Sequence, residues 1–438
     1  MSQKKVTRRQ FNKTVAVAGA GLAALGAPAV ISRGATDKIK VGVIGTGNRG
    51  CQVMQSFLKM DDVEIVAVCD VYQPHLDGKH RNAGDWWDPK WKKYKDFRKL
   101  LEQKDIDAVL IGTPDHWHAI QHNMACEAGK DIYIEKPLSI TVVEGRKMVE
   151  SARKNKRVVQ VGMQRRTSQS YTRLQKLIAE GGLGKVTVFR SYRISNMYPD
   201  GIGNPPDSAP PPGLDWDMWQ GPAQAVPYNE NYQPYKFRWH PAYSSQMTNW
   251  GVHFMDAFRW TVGEDNPIAV SAHGGNFAVK DNRGIPDTLE VTYTFGCGAL
   301  FVFGQYEASN NPGVLYGQTE WRGTKGTACG HYNDVKVFPE TGGQFQDPSP
   351  RMAEMTFVNT VPDTDLHVRN FLDCVKSRER CTGDIEVGHR SNAAALLGNI
   401  AYATQEWLKW DPKKEKFTNS EKANKLLHYE YRKPWKLT

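Results

Sequence analysis

Between residues 39 and 161 the chain repeats one rhythm. Short apolar runs, Val41–Ile44, Val63–Cys69, Asp107–Gly112, Ile132–Ile134 and Val158–Val161, are continuous rather than alternating. Such runs suit strands buried on both faces. Between them lie stretches with helical spacing, Cys51–Met60, Asp96–Lys104 and His118–Ala128, and one polar, tryptophan-rich loop, Asn82–Tyr94. Strands alternating with helices predict a parallel sheet with helices on both faces. Ligands bind such sheets beyond the carboxyl ends of the strands. Asp70, Thr113–His118 and Glu135-Lys136-Pro137 all follow strand ends and are expected to line one crevice.

The first strand runs into Gly45-Thr46-Gly47-Asn48-Arg49-Gly50. The first glycine permits a tight turn, the second lets a pyrophosphate approach the backbone, and the third lets helix and strand pack closely. The following helix would point its first N–H groups at the phosphates. Asp70 stands twenty residues past Gly50, at the end of the second strand, where a carboxylate can accept both hydroxyls of an adenosine ribose. Together these features predict a dinucleotide site formed by Gly45, Gly47, Asn48, Arg49, Gly50 and Asp70. Val71-Tyr72, not an arginine, follows Asp70, which favours NAD over NADP. Thr113, Pro114, His116, His118, Glu135 and Lys136 complete the expected cofactor crevice. A cationic Lys136 there can polarise a substrate hydroxyl as it becomes a carbonyl.

Beyond residue 162 the pattern changes. Gln164-Arg165-Arg166 leads to a helix, Tyr171–Glu180, and an alternating strand, Val186–Tyr192. A proline- and tryptophan-rich stretch, Asn196–Pro241, is long for a loop and too aromatic for a disordered linker, so an ordered cover over the site is expected. Asn249, His253 and Asp256 share one face of a helix beginning near Thr248. Leu289–Phe295 and Ala299–Gln305 read as paired strands around Gly296-Cys297-Gly298, with further strands at Thr319–Arg322 and Asp334–Phe338 and helices at Asp365–Ser377 and His389–Leu408. The fold class is therefore α/β: an N-terminal Rossmann domain over 36–162, then a second α/β domain over 163–438 with an open, mostly antiparallel sheet.

Composition alters this picture at the N-terminus. Hydrophobic residues are 40% and charged residues 24% of 438, an ordinary globular balance. The net charge is +10, but Lys4, Lys5, Arg8, Arg9 and Lys13 fall within residues 1–29 with no acid among them. The remainder is too small and scattered to argue for a nucleic-acid partner. Thr7-Arg8-Arg9-Gln10-Phe11-Asn12-Lys13 precedes an alanine- and glycine-rich apolar run, Val15–Ile31. This resembles a twin-arginine export signal over residues 1–35, with Asn12 in place of the usual leucine. It implies a periplasmic protein exported already folded, with no stable membrane insertion after cleavage. The seven cysteines show neither a disulfide framework nor metal-ligand spacing, so no metal site is expected.

The glycine turn, Thr113-Pro114, Glu135-Lys136-Pro137, Gln164-Arg165-Arg166, Asp215-Trp216-Asp217-Met218-Trp219-Gln220-Gly221-Pro222-Ala223 and Gly251-Val252-His253-Phe254-Met255-Asp256 occur in order. Together they resemble the Gfo/Idh/MocA oxidoreductases, over about residues 38–410. The resemblance implies hydride transfer between a sugar or polyol carbon and bound NAD(P). It matches Lys136 to the catalytic lysine and His253 to the usual base. It also implies a cis peptide before Pro137 and an oligomer, dimer or tetramer, built on the open sheet. One position departs: Asn249 stands where the family often has aspartate. Asparagine can orient a hydroxyl but cannot take a proton.

The expected catalytic set is thus Lys136, His253 and Asn249, with Arg166, Trp239, Tyr243 and Asp256 toward a carbohydrate substrate. Asp256 reads equally as a structural hydrogen-bond partner. Three functions fit: a dehydrogenase acting on a sugar or glycoside hydroxyl; a glycoside hydrolase or lyase that oxidises its sugar transiently and returns the hydride; and a sugar-binding protein without catalysis, against which intact Lys136 and His253 argue.

Overall fold

A computed structural model describes residues 38–233 and 235–438. The expected export signal lies outside the described residues. Six strands form the first sheet: β1 (Ile39–Ile44), β2 (Val63–Cys69), β3 (Lys92–Tyr94), β4 (Ala108–Ile111), β5 (Asp131–Ile134) and β6 (Val159–Val161). Their order is β3-β2-β1-β4-β5-β6, and every pairing is parallel. Connecting helices include α1 (Asn48–Leu58), α2 (Phe97–Leu101), α3 (His118–Glu127) and α4 (Val142–Lys154). β1, β4, β5 and β6 are buried along nearly their whole length, as their continuous apolar runs require.

β3 corrects one expectation. It falls within the stretch read as a polar loop, pairing Lys92 with Ala67 and Tyr94 with Cys69 at the sheet edge. An edge strand with exposed lysines carries no apolar run to announce it. The helix expected over Asp96–Lys104 is shorter. Asp96 is its N-cap, accepting from the Arg98 amide at 2.9 Å.

The C-terminal part supplies α5 (Gln169–Ala179), β7 (Val186–Ile194), α6 (Val252–Thr261), β8 (Pro267–Gly275), β9 (Thr288–Phe295), β10 (Leu300–Tyr306), β11 (Thr319–Gly323), β12 (Gly326–Gly330), β13 (Asp334–Pro339), β14 (Met355–Val358), α7 (Asp363–Ser377), α8 (Ile385–Thr404), β15 (Leu408–Asp411) and β16 (Lys416–Phe417). The ten strands are ordered β14-β13-β12-β11-β7-β10-β9-β8-β15-β16. Only β7 and β10 run parallel. β9 and β10 form the expected hairpin. One face buries Phe189, Phe301 and Trp321 against Phe258 of α6, with Phe189 and Phe301 stacked at 5.0 Å.

Two segments tie this part back to the first sheet. Helix α7 packs Phe371 edge-on against Phe57 of α1 and Tyr133 of β5, at 6.1 and 5.9 Å. A division at 162/163 therefore separates the two sheets but not their helical layers. The C-terminal tail crosses the other side. Trp435 packs on Trp117 at 4.7 Å, Tyr431 donates to Glu144 at 2.5 Å, and Arg432 donates to the Gly221 carbonyl at 2.9 Å.

Candidate active site

The carboxyl ends of β1, β2, β4, β5 and β6 open into a cavity of about 470 Å³. The glycine turn forms its floor. Gly45 has φ +87°, and a Cβ there would lie 2.7 Å from the Thr113 amide nitrogen. A Cβ on Gly50 would strike the Gly45 carbonyl, so turn and helix touch backbone to backbone. Gly47 caps α1 without a side-chain hydrogen bond, and no acid stands in the first turn. The helix thus brings its unpaired N–H groups to a cavity lined by Gly47, Asn48 and Arg49. That cradle fits a pyrophosphate.

Asp70 lines the same cavity. Its carboxylate accepts from the Thr46 amide at 2.9 Å and the Tyr72 amide at 3.0 Å, and His75 Nδ1 lies 3.2 Å away. It steadies the turn and still faces the space where a ribose would sit. Glu135 clamps the other side, accepting from Arg49 Nε at 2.9 Å and Gln164 Nε2 at 3.2 Å. Thr113 and Pro114 complete the lining.

Lys136 and His253 both line this cavity. Lys136 Nζ donates to the Asn249 backbone carbonyl at 2.8 Å and to its side-chain oxygen at 2.9 Å. The peptide that follows, Lys136–Pro137, is cis. Burial lowers the Lys136 pKa to about 8, with Glu135 opposing the shift and Arg238 adding to it. His253 lines the cavity, and neither ring nitrogen has a hydrogen bond among the described residues. Burial first, then the charges of Lys136 and Arg165, hold its pKa well below the usual value, so the ring is neutral.

Other expected site residues lie elsewhere. His116 is buried behind the cavity, its Nε2 2.9 Å from the Trp219 carbonyl. His118 braces two loops, its ring nitrogens 2.7 and 3.0 Å from the Pro137 and Thr113 carbonyls. Neither histidine lines the cavity. Arg166 and Asp256 do not reach it either. They pair with each other at 2.8 Å, both almost fully buried, and Arg166 also pairs with Glu264 at 2.6 Å. Asn249 sits in a π-helical turn, Met247–Gly251, and His253 in the first turn of α6. By Asp256 the helix has run past the cavity to meet Arg166, so three residues on one face do not share one site. Trp239 donates from Nε1 to Glu307 at 2.9 Å, and Tyr243 is buried against Trp219 and His116. Both are packing residues here.

The cavity also shows residues that the sequence places only within longer stretches expected at the site, or names as neighbours of a site residue. Asp115 lines it and accepts from the Ser244 hydroxyl, and burial raises its pKa. Arg165 lines it where Arg166 was expected. The proline- and tryptophan-rich stretch contributes Met218, Trp219, Gln233, Tyr235, Phe237 and Arg238. Within that stretch, the one available signal was a string of aromatics broken by a single buried-type cation, Phe237-Arg238-Trp239.

These features define an NAD-binding Rossmann domain that carries Lys136, joined to an α/β domain that carries Asn249 and His253. Residues 39–163 match the pattern described as "Oxidoreductase family, NAD-binding Rossmann fold", and residues 169–437 that of "Oxidoreductase family, C-terminal alpha/beta domain". The chain belongs to the Gfo/Idh/MocA oxidoreductase family. It is similar to the inositol 2-dehydrogenase of Salmonella typhimurium (strain LT2), 32% identical over 163 residues, which are 36% of this chain and 47% of that protein. It is also similar to a glycosyl hydrolase family 109 protein of Saccharopolyspora erythraea, 31% identical over 201 residues, 41% of this chain and 44% of that one. The chain thus spans just under half the length of these curated relatives. Among solved structures it shares its fold with a levoglucosan dehydrogenase in complex with NADH and levoglucosan, at 18% identity and TM-score 0.64, over 85% of this chain and 99% of that one. An aldose-aldose oxidoreductase from Caulobacter crescentus aligns with TM-score 0.63 at 16% identity, over the same shares.

Proposed function

We propose that this protein is an NAD-dependent oxidoreductase acting on a hydroxyl of a sugar or glycoside. The observation that carries the reading is Lys136, held by two acceptors of Asn249, in one cavity with a neutral, unbonded His253 and the glycine turn. Asn249 takes two of the three N–H bonds of the Lys136 ammonium, leaving one for a substrate oxygen. That donor stabilises the oxygen as its proton leaves. His253 accepts the proton, since a neutral imidazole is free to do so. When bound, the nicotinamide supplies the acceptor for the hydride that leaves the same carbon. Asn249 cannot take a proton and acts by positioning Lys136. Asp70 favours NAD over NADP, because a 2′-phosphate would meet its carboxylate.

The likeness to family 109 glycosyl hydrolases favours a second reading at the same site. There the oxidised sugar would have an acidified neighbouring C–H. Loss of that proton would eliminate the aglycone, and the hydride would return from the reduced NAD, after water adds across the double bond (hydrolase) or without it (lyase). Incubation with free sugars and with chromogenic aryl glycosides separates the two. Net reduction of NAD with free sugar supports the dehydrogenase. Aglycone release without net reduction supports the second reading. We read the N-terminal twin-arginine motif as an export signal to the periplasm, where a cofactor held tightly through the catalytic cycle suits either chemistry. The open face of the ten-stranded sheet is the surface we assign to self-association.

A further inference from the structure

The cavity holds more positive charge than its carboxylates balance. Two guanidinium groups on its wall, Arg165 and Arg238, have no carboxylate within ion-pair distance among the described residues. Arg165 leaves the turn after β6 and lies over the rings of Tyr171 and Phe254 at 5.0 and 4.9 Å. The residue is 8% exposed, and its Nη1 is buried with no hydrogen-bond partner. Arg238 lies over Tyr235 and Phe237 at 4.3 and 4.4 Å and spends one N–H on the Tyr235 carbonyl at 2.9 Å. The neighbouring Arg166 shows the contrast, being fully paired with Asp256 and Glu264.

The nearby carboxylates accept their hydrogen bonds from other groups and act on these arginines only at longer range, Asp115 and Glu135 on Arg238 and Asp363 on Arg165. Asp115 accepts from Ser244, Glu135 from Arg49 and Gln164, and Asp363 from Asn359 at 2.8 Å. Burying an unpaired guanidinium is costly. Aromatic faces replace part of its hydration while leaving the N–H fork free. A planar fork kept free in this way matches the oxygens of a carboxylate or phosphate. Both arginines line the same cavity as the reacting pair, and their charge acts on it: Arg238 helps lower the pKa of Lys136, and Arg165 helps keep His253 neutral.

We propose that the substrate is an acidic sugar, whose oxyanion substituent is held by Arg165 and Arg238 while a ring hydroxyl is presented to Lys136 and His253. This rests on the oxidoreductase reading above. The oxyanion is a uronic-acid carboxylate or a sugar phosphate, and the test has an arm for each.

The experiment uses the full-length protein, wild type and the variants Arg165→Gln and Arg238→Gln. NAD affinity is measured by quenching of tryptophan fluorescence. Calorimetry then gives the affinities of glucose, glucuronate and glucose 6-phosphate, and of galactose and its two acidic counterparts, with and without saturating NAD. The expected result is binding of one acidic class about tenfold or more tighter than its neutral partner, a preference lost in either variant while NAD affinity stays within about twofold. The class that binds identifies the oxyanion. Neutral sugars binding as well as acidic ones, or no acidic sugar binding at all, overturns the proposal. So does an equal loss of NAD affinity in the variants, which assigns the arginines to the cofactor. Wild-type protein that does not bind NAD defeats the oxidoreductase reading instead, and the titrations without NAD still decide the role of the arginines.

Discussion

Lys136 donates to both oxygens of Asn249, the backbone carbonyl at 2.8 Å and the side-chain amide at 2.9 Å. No carboxylate makes a salt bridge with the ammonium among the described residues, and burial lowers its pKa to about 8. The cationic form is the one that can donate to substrate. The rate of oxidation, kcat/KM, is therefore expected to hold below pH 8 and to fall by one proton above it. Asn249→Asp places a carboxylate beside the ammonium and favours the charged form. The falling limb then moves to higher pH by about one unit or more. A pH–rate profile of both proteins checks this, and an unmoved limb would deny Lys136 the titration.

The glycine turn gives a second prediction. At Gly45 the backbone is left-handed, and an added Cβ meets the Thr113 amide at 2.7 Å. Gly45→Ala should strain the turn and displace β1 from the end of β4, weakening NAD binding about tenfold or more. Asp70→Ala should weaken it as well, through the ribose and through loss of the bond to the Thr46 amide. Fluorescence titration with NAD measures both, and unchanged affinity in Asp70→Ala would place the adenosine elsewhere.

Arg166 and Asp256 are expected to matter for stability rather than for substrate. Removing one member of a buried ion pair leaves the other charge uncompensated, at about 3–5 kcal/mol. Arg166→Ala should lower the urea midpoint by that measure. Arg166→Met combined with Asp256→Leu should recover part of the loss, because both charges then disappear. Glu264 and Ser391, which also contact the pair, limit the recovery. A double-mutant cycle in urea tests it, and a strictly additive result would contradict the pairing.

Glu144 predicts a slope of stability with pH. Burial raises its pKa from the ordinary 4.5 to about 7. Between those values the folded protein holds a proton that the unfolded chain has lost. Stability therefore falls as pH rises across that window, by roughly 3 kcal/mol at most, and the penalty persists above pH 7. Glu144→Gln should flatten this contribution, since a glutamine oxygen can still accept from the Thr141 amide while its amide donates to Tyr431. Melting temperatures of both proteins across pH 4.5–7.5 give the comparison. Parallel curves would remove Glu144 from the account.

The parallel sheet was legible in sequence because strands buried on both faces cannot hide their apolar runs. β1, β2, β4, β5 and β6 all appear there. β3 could not be read, since an edge strand of two lysines and a tyrosine has no such run. β8, β12, β14, β15 and β16 were missed for related reasons: several are short, half-exposed or rich in glycine, and they become strands only by pairing with neighbours. Lys136, Asn249 and His253, named from motifs that fix local geometry, line one cavity together. The choice of Arg166 over Arg165 was not recoverable. The two are adjacent, and only the tertiary position of Asp256 decides which is paired and which faces the cavity. Arg238 gave only the weak signal of a cation set among aromatics, because its lack of a carboxylate partner is a property of its surroundings.

The most direct test of the central claim is reduction of NAD by the purified protein. The wild type and Lys136→Met and His253→Ala variants would be incubated with NAD and a panel of neutral and acidic sugars. The near-ultraviolet absorbance of reduced nicotinamide is followed, and any nucleotide released on denaturation is identified by mass spectrometry. The account predicts reduction by the wild type with at least one sugar, and losses of about a hundredfold or more in both variants with NAD still bound. A folded wild type that neither carries nor binds NAD, or variants that reduce it as fast as the wild type, would contradict it.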